Sequence, residues 1–272
     1  MPGRRHHRDD PLGRGRWAAR LAHRDGRGAG GDRPVIETSE LTKRYRRTTA
    51  VDGLTLRVEP GQIYGFLGLN GAGKSTAIRM LLGMTRPTSG TVRLLGRDEP
   101  DWSRVGYLVD GAHAYPGLTV RENLEITRRL RREPDPGAAD RAADLLGLTP
   151  YRDRRAGTLS LGNAQRLGLA KAVLHRPDVL ILDEPANGLD PLGIRELRGI
   201  LRRLAHQEGT TILVSSHILA EVARTADRIG IIDRGRMLTE FAAADLPRCT
   251  CDAEDLEDVF LRLLTGDRSA PP

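Results

Sequence analysis

An α/β fold built on a mostly parallel sheet is what the sequence predicts, and two patterns carry that prediction. From residue 35 onward, short apolar runs alternate with longer amphipathic stretches, the pattern of strands joined by crossover helices. Residues 100–158 then read mainly as helix, which places a helical lobe as an insertion in the sheet.

The elements follow in order. Residues 35–41 and 54–58 read as short strands, and Glu59-Pro60-Gly61 turns the chain into a buried strand over 62–67. A Gly-rich loop and a helix near 75–82 come next. Pro87-Thr88-Ser89-Gly90 marks a turn before a strand over 91–95, and 105–109 is a further strand. Thr119, with Glu122 three residues on, forms a capping box for a helix through Arg131. Glu133-Pro134-Asp135-Pro136-Gly137 breaks that helix, and another runs to about Leu146. Ser160 opens the next helix. Strands over 179–182 and 211–214 flank a helix near 194–206. Strands over 229–232 and 237–239 flank Asp233-Arg234-Gly235-Arg236 as a hairpin, and 255–264 reads as a short amphipathic helix.

Composition narrows the function. Of 272 residues, 39% are hydrophobic, which suits a folded domain, and no apolar run approaches the ~18 residues of a membrane span. The net charge of +7 is uneven: residues 1–34 hold nine Arg against four Asp, a net of +5. That segment is rich in Gly, Arg and Pro without periodicity, and reads as a disordered basic extension. It lacks the apolar stretch of a secretory signal. A second reading places the translational start at Val35. Residues 266–272 read as a disordered tail. Only ten residues are aromatic, too few for base-stacking platforms, so no nucleic-acid partner is expected. Two cysteines, Cys249 and Cys251, supply no disulfide framework and read as reduced thiols of a chain in a reducing compartment.

Three motifs carry the chemistry. Gly68-Leu69-Asn70-Gly71-Ala72-Gly73-Lys74-Ser75 fits G-x-x-x-x-G-K-[ST] between a strand and a helix. Glycines let backbone N–H groups approach phosphate oxygens, and a helix N-terminus adds partial positive charge. Lys74 reaches the outer phosphates, while Ser75 is a Mg²⁺ ligand. The second motif is Val179-Leu180-Ile181-Leu182-Asp183-Glu184, an apolar strand ending in two acids where a parallel sheet faces its ligand crevice. Asp183 is read as holding Mg²⁺ and Glu184 as the general base toward water. The third is Leu159-Ser160-Leu161-Gly162-Asn163-Ala164-Gln165-Arg166, about 20 residues before the acidic pair.

That third stretch resembles the LSGGQ signature of ATP-binding-cassette ATPases in its LSLGxxQR form, and further family marks fall in order. Tyr45 lies where the family carries its adenine-stacking aromatic, Asn187-Gly188-Leu189-Asp190 is similar to the D-loop, and His217 to the switch histidine. The resemblance covers roughly residues 35–265. It implies the P-loop NTPase fold of this family: a mostly parallel core with an N-terminal antiparallel β subdomain and the inserted helical lobe. It further implies ATP and Mg²⁺ as cofactors, contacts to nucleotide from residues 68–76 (Thr76 included), and contacts from Ser160, Gly162, Asn163 and Asp190. Two copies are expected to pack head to tail, each signature completing the other's phosphate site, and to drive a separate multi-span permease at the cytoplasmic face of the membrane. Asp110 stands where the family's usual Gln ligates Mg²⁺. Asp110, Leu161 and the stretch from Ala114 to Leu124 resemble the bacitracin, lantibiotic and ABC-2 type drug-exporter branch, which implies export. An importer subunit and a soluble cassette acting on a macromolecular complex are the alternatives.

Overall fold

The computed structural model describes residues 33–246. The segment 1–32, Cys249, Cys251 and the helix expected over 255–264 lie outside the described residues.

Two sheets form. The first is antiparallel, in the order β2-β1-β4, from β1 (Ile36–Tyr45), β2 (Thr48–Val58) and β4 (Ser89–Leu94). The second has six strands in the order β5-β6-β7-β3-β8-β9. Its members are β3 (Ile63–Leu67), β5 (Val105–Leu108), β6 (Val179–Leu182), β7 (Thr211–Ser216), β8 (Arg228–Asp233) and β9 (Arg236–Ala242). All pairings in it are parallel except β8 with β9. Every residue of β3, β6 and β7 is buried, as expected of strands covered on both faces.

Alternation along those strands divides the core. Val179 and Ile181 of β6, with Tyr64 and Phe66 of β3, join a cluster with the antiparallel sheet and α1 (Lys74–Leu81). Leu180 and Leu182, with Ile63 and Leu67, point to the opposite face. There they meet α2 (Val120–Leu130), α3 (Ala138–Leu145), α4 (Leu161–Val173), α5 (Pro191–His206) and α6 (Leu219–Ala223). Arg166 ties three of these helices together. It donates to the Leu146 carbonyl at 3.2 Å and pairs with Glu196 on α5 at 2.7 Å.

The helical lobe is narrower than the expected 100–158. Val105–Leu108 pairs with Val179–Leu182 as a sheet strand, and Gly106 lets it pack closely on the Ala172 carbonyl of α4. The expected hairpin forms between β8 and β9. Arg234 and Gly235, its two connecting residues, have φ of 46° and 82°, the left-handed pair of a type I′ turn. Both β1 and β2 run longer than their expected 35–41 and 54–58. A break in register between Thr38 and Leu41, with Glu40 at φ 48°, carries β1 past the polar residues that hid its second half. Among the described residues no helix is long and apolar enough to cross a membrane.

The expected capping box is present. Thr119 Oγ1 accepts the Glu122 N–H at 3.1 Å, and the Glu122 carboxylate accepts the Thr119 N–H at 2.7 Å. Thr119→Ala is expected to cost about 1 kcal/mol, read as a lower urea midpoint at unchanged slope.

Candidate functional site

The phosphate loop leaves the buried end of β3. Gly68 donates its N–H to the Ser216 carbonyl at 3.3 Å, which fixes the loop's root beside the end of β7. A Cβ at Gly68 would stand 2.5 Å from the Ile232 carbonyl oxygen, so the position takes only glycine. Gly73 precedes α1 with φ 107°, where any side chain would also collide with the Ala50 carbonyl. The turn places Lys74, Ser75 and Thr76 in the first turn of α1, where backbone N–H groups have no partner within the helix. Leu69, Asn70 and Gly71 are exposed at the loop's crest, while Ala72 is buried beneath it.

Lys74 is 5% exposed. Its Nζ donates to the Gly68 carbonyl at 2.5 Å and the Leu69 carbonyl at 3.3 Å, and stands 3.2 Å from Glu184 Oε1. A buried ammonium needs such compensation. The Glu184 contact is one of charge without hydrogen-bond alignment, so Oε1 stays without a hydrogen-bond donor.

The two acids end β6, as expected. Asp183 is buried, and its Oδ1 accepts the Ser215 hydroxyl at 2.6 Å. The same hydroxyl accepts the Glu184 N–H at 2.9 Å. Glu184 has φ 48°, a left-handed conformation unfavourable for a side chain of its kind and held by its surroundings. Gln165 of α4 supplies part of that hold, donating to the Glu184 and Pro185 carbonyls at 3.4 and 3.1 Å. His217 Nδ1 lies 2.9 Å from Glu184 Oε2. Lys74 of the first turn of α1, Glu184 beyond the end of β6 and His217 beyond the end of β7 therefore form one contact group.

Asp110 follows β5 at the same edge, with φ 58°, and its carboxylate pairs with Arg79 of α1. That bond raises the Arg79 guanidinium above its usual range. Asp110, expected as a Mg²⁺ ligand, pairs with Arg79 in this structure.

Ser160 is exposed and caps α4, its Oγ accepting the Asn163 N–H at 3.3 Å. The signature turn interlocks with the loop after the acids. A Cβ on Gly162 would lie 2.9 Å from the Gly188 carbonyl oxygen, and one on Gly188 2.6 Å from Leu161 Cγ. Asp190 caps α5 by accepting the Gly193 N–H at 2.8 Å. Tyr45 ends β1, 48% exposed, with Lys43 Nζ 4.9 Å from its ring centre. Ser215, Gln165 and Arg79 were assigned no role in the sequence. Gln165 sits inside the signature stretch and Ser215 two residues before His217, which is the only signal they give.

The edge of the sheet thus gathers a phosphate loop, an acidic strand end and a histidine, with the signature turn joined to them through Gln165. Residues 51–187 match the family model described as ABC transporter. The chain belongs to the ABC transporter family. As an ATP-binding subunit of that family it binds and hydrolyses ATP. It is 44% identical over 217 residues to the bacitracin transport ATP-binding protein BcrA of Enterococcus faecalis, covering 78% of this chain and 70% of that one. It is 45% identical over 220 residues to the daunorubicin/doxorubicin resistance ATP-binding protein DrrA of Streptomyces peucetius, covering 78% and 66%. A solved structure of the ATP-binding subunit of an ABC transporter superposes with a TM-score of 0.74 at 26% identity, covering 85% of this chain and 99% of that one. The ABC fold expected from the sequence is therefore the fold found, down to the antiparallel β subdomain.

Proposed function

We propose that this chain powers the export of a drug, antibiotic peptide or other amphiphile through a separate multi-span permease, working as a homodimer at the cytoplasmic face of the membrane. Residues 35–265 are assigned to the ATP-binding domain and 1–34 and 266–272 to its flanks. The transport-related names of the relatives support the export reading. The contact group of Lys74, Glu184 and His217 carries the mechanism.

Residues 68–76 cradle the phosphates through their N–H groups, and Tyr45 offers its exposed ring to adenine. Lys74 leaves Glu184 for the outer phosphates and neutralises charge as the γ-phosphoryl group transfers. A water oxygen attacks the γ-phosphorus, the bond to the β–γ bridging oxygen breaks, and Glu184 accepts the water's proton. His217 orients the carboxylate that takes it. The donors fit Mg²⁺: a hydroxyl on Ser75 and a buried carboxylate on Asp183 are the hard oxygens such a site uses beside nucleotide phosphates. Bound there, Mg²⁺ would supply charge neutralisation on the phosphates. Asp110 would join the ligands only by giving up Arg79.

The exposed Ser160 turn opens a helix, and a second copy's γ-phosphate is a fitting anion for it, with Gly162, Asn163 and Asp190 at the same seam. Hydrolysis then loosens the pair. With ATP and Mg²⁺, a Glu184→Gln chain is expected to run as a dimer on size exclusion and with ADP as a monomer. Ser160→Arg in that background is expected to abolish the dimer while ATP binding stays within a few-fold; a persisting dimer would remove the signature from the seam. For the export reading, the native protein is expected to sediment with membranes and to copurify with a multi-span protein; cytosolic recovery with that permease present overturns it.

A further inference from the structure

Ser75 and Arg79 stand at i and i+4 on α1, so the guanidinium lies one turn along the same face from the hydroxyl assigned to Mg²⁺. Its Nε donates to Asp110 Oδ2 at 3.2 Å, and its Nη2 donates to Oδ1. That is the two-point grip of a guanidinium on a carboxylate. Asp183 lies close enough for its charge to favour the Arg79 cation as well. Among the described residues no three carboxylate, imidazole or thiol groups converge on a metal. The acids of this edge are instead compensated by the chain's own cations, Glu184 by Lys74 and Asp110 by Arg79. The two pairs differ in one respect. Lys74 is buried, whereas Arg79 and Asp110 are both partly exposed, and water weakens their attraction. The turn that carries Asp110 also has room to change. A Cβ on Gly111, the next residue, would meet nothing within 4 Å.

We propose that Arg79 is a tethered cation that competes with Mg²⁺ for the Asp110 carboxylate. In the empty protein Arg79 holds Asp110; in the nucleotide complex Asp110 exchanges the guanidinium for the ion, and Arg79 swings free. Arg79 cannot leave by losing its proton, because a guanidinium stays charged in a protein. The exchange is therefore a movement of side chains, and breaking the ion pair draws on the free energy of metal binding. Arg79 thereby sets how much Mg²⁺ the site needs, as a positioning residue that acts through Asp110. The device depends on the acid at position 110. A glutamine there, as in the family's usual pattern, has no charge to hold Arg79. The proposal rests on the assignment of Ser75 and Asp183 to Mg²⁺ given above.

The test titrates Mn²⁺, followed by electron paramagnetic resonance, into the full chain bound to a non-hydrolysable ATP analogue, with protein in excess. Arg79→Gln is expected to lower the dissociation constant of Mn²⁺ about two- to fivefold, the worth of an ion pair at this exposure. Arg79→Lys is expected to fall between the two, because an ammonium cannot grip both oxygens in a fixed fork. Asp110→Asn is expected to weaken Mn²⁺ binding, and in that background Arg79→Gln is expected to change it by less than about 1.5-fold. The free Mg²⁺ that half-saturates hydrolysis is expected to shift in parallel. A purely structural tie would leave metal affinity unchanged or lower it when removed, and either result for Arg79→Gln overturns the proposal. So does an affinity unmoved by Asp110→Asn. A gain that persists in the Asp110→Asn chain would show Arg79 acting by its charge on Asp183 or the phosphates, and also overturns it. Failure of the unaltered complex to bind Mn²⁺ overturns the metal-site assignment and the proposal with it, whereas Mn²⁺ that binds but is indifferent to Arg79 overturns the proposal alone.

Discussion

Glu184→Gln is expected to slow ATP hydrolysis by about 10²–10⁴-fold, the usual worth of a positioned general base, while ATP still binds. The substitution keeps the shape of the side chain. The backbone contacts that hold Glu184 at φ 48°, from Ser215 and Gln165, do not involve its carboxylate and survive. What disappears is the capacity to take a proton and the negative charge facing Lys74. Single-turnover release of phosphate checks the rate, and equilibrium titration with a fluorescent nucleotide checks the binding. A loss below about tenfold would move the base elsewhere. His217→Ala supplies the companion measurement. Because His217 contacts Glu184 Oε2 at 2.9 Å, its loss is expected to slow the wild-type enzyme but to add little to Glu184→Gln, the non-additivity of residues that act as one unit.

How much of this site could be read in advance follows from where each residue sits along the chain. Asp183 and Glu184 stand where an apolar run meets polar residues, a junction that a parallel sheet sends to its ligand edge. Lys74 is legible from the Gly-rich motif before α1, and His217 only through the resemblance to the family's switch histidine. Ser215 and Gln165 act on Glu184 across 31 and 19 residues, through a hydroxyl and an amide common anywhere in a protein. Their partners become visible only once β7 lies beside β6 and α4 crosses behind it. Arg79 was hidden for a similar reason: it reads as an ordinary basic residue near a helix end until Asp110 is brought to it from 31 residues away. The sheet order β5-β6-β7-β3-β8-β9 was likewise illegible, because equally apolar strands do not state their neighbours. α6, five residues long, is too short to show a helical period.

Lys74→Ala is expected to weaken ATP binding by about 30–150-fold, the loss of about 2–3 kcal/mol that accompanies removal of a cation hydrogen-bonded to a charged ligand. The empty protein is expected to lose stability as well. Lys74 is the partner of two loop carbonyls and faces Glu184 Oε1, a buried oxygen with no hydrogen bond of its own. Removing the cation strands that oxygen and leaves His217, at Oε2, as the carboxylate's remaining side-chain contact, at a cost of about 1–3 kcal/mol. A double-mutant cycle separates the two effects: Lys74→Ala should cost less stability in a Glu184→Gln chain, where no charge is stranded. The pairing also sets a competition, since the triphosphate must draw Lys74 away from Glu184. Glu184→Gln is therefore expected to bind ATP as tightly as the wild type or a few-fold more tightly, and that gain should vanish when Lys74 is already alanine. Isothermal titration of the four proteins checks the cycle. Equal ATP affinity in the Lys74→Ala and wild-type chains would remove Lys74 from the phosphates, and a Glu184→Gln gain that persisted without Lys74 would show that the carboxylate repels the nucleotide directly rather than holding its lysine.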